Sequence, residues 1–123
     1  MKTILVIDDS PTIRASVEFA VKPIGMEVKQ AENGKKGLEA FSTLNASGAE
    51  LGLVIVDVNM PEMDGITFIK EFRKSDKFTP VLVLTTESEE DKIKEGKCVG
   101  ASGWMIKPFK PADLVAVVEK LIR

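Results

Sequence analysis

The chain has no histidine and no tyrosine, and only one cysteine and one tryptophan in 123 residues. Without histidine, Ser-His-Asp and Cys-His nucleophiles and His-ligated zinc are excluded, as is a carrier with a phosphohistidine of its own. Acid–base or covalent chemistry then falls to carboxylates, lysines, hydroxyls or the one thiol. That thiol, Cys98, has no internal partner for a disulfide, which fits a reducing compartment. An excess of one charge is lacking too. Lys+Arg 17 against Asp+Glu 19 leaves −2, too near neutral for a protein that grips phosphate backbones, so nucleic acid is not expected as a partner. Long apolar runs are missing as well. The first stops at Ile7 against Asp8-Asp9, too short for a signal-peptide core, and none approaches the roughly 18 residues of a membrane span. The expectation is a cytoplasmic monomer, residues 1–123 forming one domain with no membrane partner.

What is present is a core. Hydrophobic residues make up 44% and charged residues 29%, the balance of a globular chain. Short apolar runs recur, each followed by a helical pattern: Ile4–Ile7, a weaker Met26–Lys29, Leu53–Val56, Val81–Leu84 and Trp104–Ile106. Three are unbroken and rich in Val, Ile and Leu, as parallel strands covered on both faces require. The second alternates, which places it at a sheet edge. Between them, Ser10-Pro11 reads as an N-cap and first turn, with Ile13, Val17, Ala20 and Ile24 on one face. Asn33-Gly34 and Asp64-Gly65 open the second and third helices. Ser88 to Asp91 resembles a capping box for a fourth, which has few apolar residues and should be the least firmly packed. On it, Cys98 reads as a small buried hydrophobe and Lys92, Lys94 and Lys97 as a solvated face. Pro111 opens the fifth helix. Five strand–helix alternations imply an α/β, doubly wound parallel sheet made by right-handed crossovers.

In such sheets ligands lie beyond the carboxyl ends of the strands. Strand one ends in Asp8-Asp9, strand three in Asp57, strand four in Thr85-Thr86 and strand five in Lys107-Pro108. Two unit charges 4 Å apart repel by about 4 kcal/mol at an effective dielectric near 20, so without a cation at least one of the acids should hold its proton more tightly than usual. A divalent ion would balance them. Carboxylates with room for water and phosphate oxygens suit Mg²⁺, whereas Ca²⁺ wants more protein oxygens. A carboxylate so placed can attack phosphorus and form an acyl phosphate, with Lys107 and Thr85 available to the phosphoryl oxygens. Asp57, alone on the central strand, is the best nucleophile, while the adjacent Asp8 and Asp9 look like a metal pair.

These residues resemble a known family. Ile4–Ser10 (ILVIDDS), Val56–Gly65 (VDVNMPEMDG), Val83–Ser88 (VLTTES) and Gly100–Phe109 (GASGWMIKPF) are similar, in order and spacing, to the response-regulator receiver domains of two-component signalling, most of all its stand-alone chemotaxis members. The resemblance implies a flavodoxin-like (βα)5 fold with strand order 2-1-3-4-5. It implies a phosphoacceptor signalling protein rather than a classical enzyme, with Asp57 accepting the phosphoryl group from a histidine kinase and catalysing its own dephosphorylation. It further implies Mg²⁺ held by Asp9, Asp57 and the backbone carbonyl of Asn59, with Asp8 assisting. Thr85 and Trp104 become the switch pair, Asn59 and Glu87 the residues that tune phosphoryl lifetime, here toward fast decay, and Lys107-Pro108 a cis peptide.

With the chain taken up by the receiver, no output domain is expected. The resemblance then points to signalling through the face of helix four, strand five and helix five, toward a flagellar-motor switch, with a phosphatase as a further partner. Glu89-Glu90-Asp91 departs from the lysines some motor-binding relatives carry there, which keeps a phosphate sink or relay open as the alternative. A haloacid dehalogenase-type phosphatase would want Asp-x-Asp where this chain has Asp57-Val58-Asn59. An FMN binder would want a hydroxyl- and glycine-rich loop where it has Asp8-Asp9-Ser10-Pro11.

Overall fold

A computed structural model describes residues 2–122. Five parallel strands, β1 (Lys2–Ile7), β2 (Glu27–Ala31), β3 (Glu50–Val56), β4 (Val81–Thr85) and β5 (Gly103–Ile106), stand in the order β2-β1-β3-β4-β5. The helices are α1 (Pro11–Val21), α2 (Gly34–Ala46), α3 (Gly65–Ser75), α4 (Glu90–Val99) and α5 (Pro111–Leu121). The doubly wound architecture and the strand order implied by the resemblance are both present, and the alternating segment is indeed an edge strand. α1 ends earlier than its apolar stripe. Pro23 cannot donate to a carbonyl one turn back, and Lys22–Ile24 becomes a 3-10 turn closed by Gly25 at φ 85°.

Strand side chains alternate between two cores. Ile4, Val6, Leu53, Ile55, Leu82 and Leu84 meet Val17, Ala20 and Val21 of α1 and Leu114 and Val118 of α5. Leu5, Ile7, Val54, Val56, Val81 and Val83 meet Phe68, Ile69 and Phe72 of α3, with Leu38 and Phe41 of α2 against them. Phe41 and Phe72 lie edge to face at 4.9 Å between centroids. Each such buried side chain contributes about 1.5–3 kcal/mol, so the central strands are the least movable part of the molecule.

Helix α4 differs from its sequence reading in two ways. Ser88 makes no cap: Glu89 is the N-cap residue and its side chain bonds no helical N–H. The preceding loop is held instead through Glu87, whose carbonyl accepts from Trp104 Nε1 at 3.0 Å and whose amide donates to Thr85 Oγ1 at 3.2 Å. That anchoring sets the helix start later. Cys98 is exposed, not buried. The buried side of α4 runs through Ile93, Gly96 and Val99, and at 100° per residue Cys98 points away from Gly96. Gly100 closes the helix at φ 117°.

Arg73, which nothing in its local sequence singles out, ties these elements together. Its guanidinium donates to the carbonyls of Gly100, Asp76 and Thr79 at 2.7–3.1 Å. The neighbouring Asp76 carboxyl is partly buried, which raises its pKa. The Thr79 hydroxyl, the Thr79 and Phe78 amides and the Arg73 charge outweigh burial and hold it below the usual range.

A candidate phosphoryl-transfer and cation site at the carboxyl edge of the sheet

The polar residues that end the strands remain tied into the sheet by their backbones. The amide of Asp8 donates to Ala31, that of Asp57 to Ile7, and that of Lys107 to Thr85, at 2.8–3.1 Å. Strand pairing therefore continues one residue past the apolar runs, and three charged side chains are set by the most rigid part of the fold. Gly65 closes the arrangement from below. A Cβ there would stand 2.1 Å from the Asp57 carbonyl oxygen, so only glycine lets α3 start this close to the Asp57 backbone. Asp64 caps that helix through its bond from the Thr67 amide, at 2.8 Å.

The side chains converge. One carboxylate oxygen from each of Asp8, Asp9 and Asp57 lies within 4.8 Å of the others. Lys107 Nζ reaches Asp8 Oδ2 at 2.7 Å and Asp57 Oδ2 at 3.0 Å, with its side chain 12% exposed. Asp8 and Asp57 are buried and Asp9 is exposed. The second oxygens are used as well: Ser10 N–H donates to Asp8 Oδ1 and Asn59 N–H to Asp57 Oδ1.

Electrostatics follow burial. Loss of solvent raises the Asp8 carboxyl, more than the Lys107 and Ser10 hydrogen bonds lower it, and the Asp57 charge raises it further. Burial lowers the Lys107 ammonium, but its bonds to Asp8 and Asp57 outweigh this and hold it above its ordinary value. Burial is thus the main source of the raised Asp8 value, and the charge of Asp57 a smaller one.

The donor set is all oxygen, with one ligand atom from each of three carboxylates. That fits a hard divalent cation that keeps part of its water, better than a transition metal that wants nitrogen or sulfur. Asp9 lines a cavity of about 590 Å³ together with Asn59, Met60 and Pro61, Asp64 and Thr67 of α3, and Lys92 and Glu95 of α4. Asn59 thus borders the same opening as the exposed acid.

The remaining sequence-derived residues lie around this corner. Thr85 is fully buried, and its hydroxyl accepts from the Glu87 amide. Trp104 is half-buried against α4, where a Cβ on Gly96 would stand 2.6 Å from the indole ring. Its N–H is held by Glu87. Glu87 thereby links the two residues, and its own carboxylate accepts from the Glu89 amide at 3.3 Å. The Lys107-Pro108 peptide is cis. Sequence reasoning missed Arg14. Its Nη1 donates to the Asp8 backbone carbonyl at 2.6 Å, and its Nε donates to Gln30.

Comparison with known proteins gives one consistent result. A family model described as the response regulator receiver domain matches residues 4–119. The transcriptional regulatory protein PrrA of Mycobacterium leprae is 35% identical over 120 residues, covering 98% of this chain but 49% of that protein, so the chain spans about half of PrrA's length. The chemotaxis protein CheY4 of Vibrio cholerae superposes with a TM-score of 0.86 at 41% identity, covering 98% of both chains. The response regulator TrrA of Thermotoga maritima, solved in complex with Mg²⁺-BeF, superposes at 0.84 with 32% identity, covering 98% of this chain and 99% of that one.

Proposed function

The chain belongs to the family of response-regulator receiver domains, and we propose that Asp57 is its phosphoacceptor, served by a phosphohistidine on a separate kinase in a Mg²⁺-dependent reaction. The observation that carries this reading is the buried Asp57 carboxylate, bonded to Lys107 and grouped with Asp8 and Asp9 at the carboxyl edge of the sheet. An Asp57 oxygen forms a bond to phosphorus as the bond from phosphorus to the donor's nitrogen breaks. The leaving imidazole keeps that electron pair, and Asp57 becomes an acyl phosphate. Lys107 neutralises charge on the transferring group, and Thr85 supplies a hydroxyl to it once released from Glu87. Asp9, Asp57 and the Asn59 carbonyl, with Asp8 assisting, are the groups that would hold Mg²⁺, which supplies charge neutralisation for the phosphoryl oxygens. The Mg²⁺-BeF complex of TrrA supports this choice of ion.

Thr85 and Trp104 form the switch in this proposal, since both hold the Glu87 loop and its release would free both. The signalling face is α4, β5 and α5, and the role is that of a chemotaxis regulator acting in the cytoplasm, supported by the 41% identity to the chemotaxis protein CheY4. Asn59 and Glu87 set the phosphoryl lifetime. A phosphate sink or relay is the second reading, favoured by Glu89-Glu90-Asp91 at the start of α4.

The test is intact mass after brief exposure to a small acyl-phosphate donor with Mg²⁺, quenched in cold acid. The expected result is one phosphoryl adduct, absent in Asp57→Asn and in metal-free protein. No adduct together with no steady phosphate release would overturn the assignment.

A further inference from the structure

Asp9 is the exposed member of the acid group, and its position depends on the peptide before it. The carbonyl oxygen of that peptide belongs to Asp8 and is coplanar with the Asp9 amide, so whatever holds the oxygen orients Asp9. Strand β1 ends at Ile7, and Asp8 is the last residue whose amide finds a strand partner, Ala31. Beyond it, the Asp8 carbonyl accepts from Arg14 Nη1 at 2.6 Å, a charge-assisted bond. The same guanidinium donates through Nε to Gln30 Oε1 at 3.0 Å, and Gln30 Nε2 donates to Glu18 Oε1 at 2.7 Å. Arg14 itself sits one turn into α1, its amide bonded to the Ser10 carbonyl. The turn that carries the acid pair is therefore braced from α1 on one side and β2 on the other.

We propose that Arg14 is a positioning residue for divalent-cation binding, holding the Asp8–Asp9 peptide so that the Asp9 carboxylate is aimed at the site before the ion arrives. The inference rests on the receiver reading of the acid corner. A rigid two-pronged donor suits this task, because one side chain must serve the Asp8 carbonyl and Gln30 together, which an ammonium on a flexible stem does poorly.

The sign of the effect separates positioning from simple charge. Removing a nearby cation should by itself strengthen binding of Mg²⁺; removing a brace should weaken it. Calorimetric titration of the full chain with MgCl₂ is expected to show affinity about 10-fold weaker in Arg14→Met, the lower end of what loss of an outer-sphere support costs. Arg14→Lys should recover only part of this, and Glu18→Gln should stay within about twofold of wild type, since glutamine still accepts from Gln30. Unchanged or tighter binding in Arg14→Met would overturn the proposal, as would a lowered melting midpoint with unaltered affinity. Should the wild type bind no Mg²⁺ at all, the receiver reading fails, and exchange of the Ser10 amide in metal-free protein still decides the brace. That amide is bonded to Asp8 Oδ1, and it should exchange several-fold faster in Arg14→Met; equal rates would sink the idea.

Discussion

Asp8 carries the electrostatic cost of the corner. Its carboxyl titrates above its usual value because burial outweighs the help of Lys107 and Ser10, so the folded state binds its proton more tightly than the unfolded chain does. An acid raised in this way favours folding only while protonated. That advantage is complete below about pH 3.8 and is lost as pH rises through the folded value, leaving a penalty at neutral pH. In metal-free protein, Asp8→Asn should therefore be more stable than wild type at pH 7, with the difference shrinking toward zero in acid. Urea titrations in the presence of a chelator at pH 3.5 and pH 7 read this directly, and a less stable variant at pH 7 would contradict it. Asp8, Asp9, Asp57 and Lys107 were legible because each stops an apolar run, and the end of a run fixes where a residue stands. Arg14 and Arg73 were not. Arg73 acts on Gly100, 27 residues away, and a long flexible side chain leaves no periodic trace of where its tip goes.

Helix α4 shows where pattern reading loses its hold. Among its ten residues only Gly96 is buried, and an absent side chain adds nothing to a hydrophobic stripe. The pattern thus hides the face that seats Trp104, puts Cys98 on the wrong side, and suggests a Ser88 cap that the helix does not make. β1, β3, β4 and α3 behave differently, since their apolar patterns are long enough to set both phase and burial. The seat itself makes a prediction. Alanine at position 96 would put a methyl 2.6 Å from the indole, so ring or helix must give way, and displacement of the ring would disturb its bond to Glu87. Gly96→Ala should red-shift the emission of the chain's single tryptophan and increase its quenching by acrylamide. Alanine also favours a helix interior over glycine by up to about 1 kcal/mol, so the urea midpoint should move little. An unchanged spectrum would mean that the ring is not held by this contact.

At the scale of the whole molecule, the charged corner joins β1, β3 and β5 through side chains and is bordered by the loop after β3, α3 and α4. A cation bound there should stabilise the entire fold. At ten times its dissociation constant, Mg²⁺ should add about 1.4 kcal/mol to the unfolding free energy, and the gain should fall sharply in Asp9→Asn and Asp57→Asn. Thermal melts across millimolar Mg²⁺ check this, and a midpoint indifferent to Mg²⁺ would remove the cation from the site. The two ends of the sheet differ in another respect. Below Asp57 there is no space even for one methyl at Gly65, whereas at the opposite edge a side chain on Gly48 would touch nothing within 4 Å and Phe78 stands 95% exposed. The fold thus has a working end and a handle. A foreign peptide, an affinity label or a surface tether grafted beside Gly48 would leave the acid corner undisturbed, while any residue added between Asp57 and Gly65 would push α3 and the Asp57 carboxylate apart.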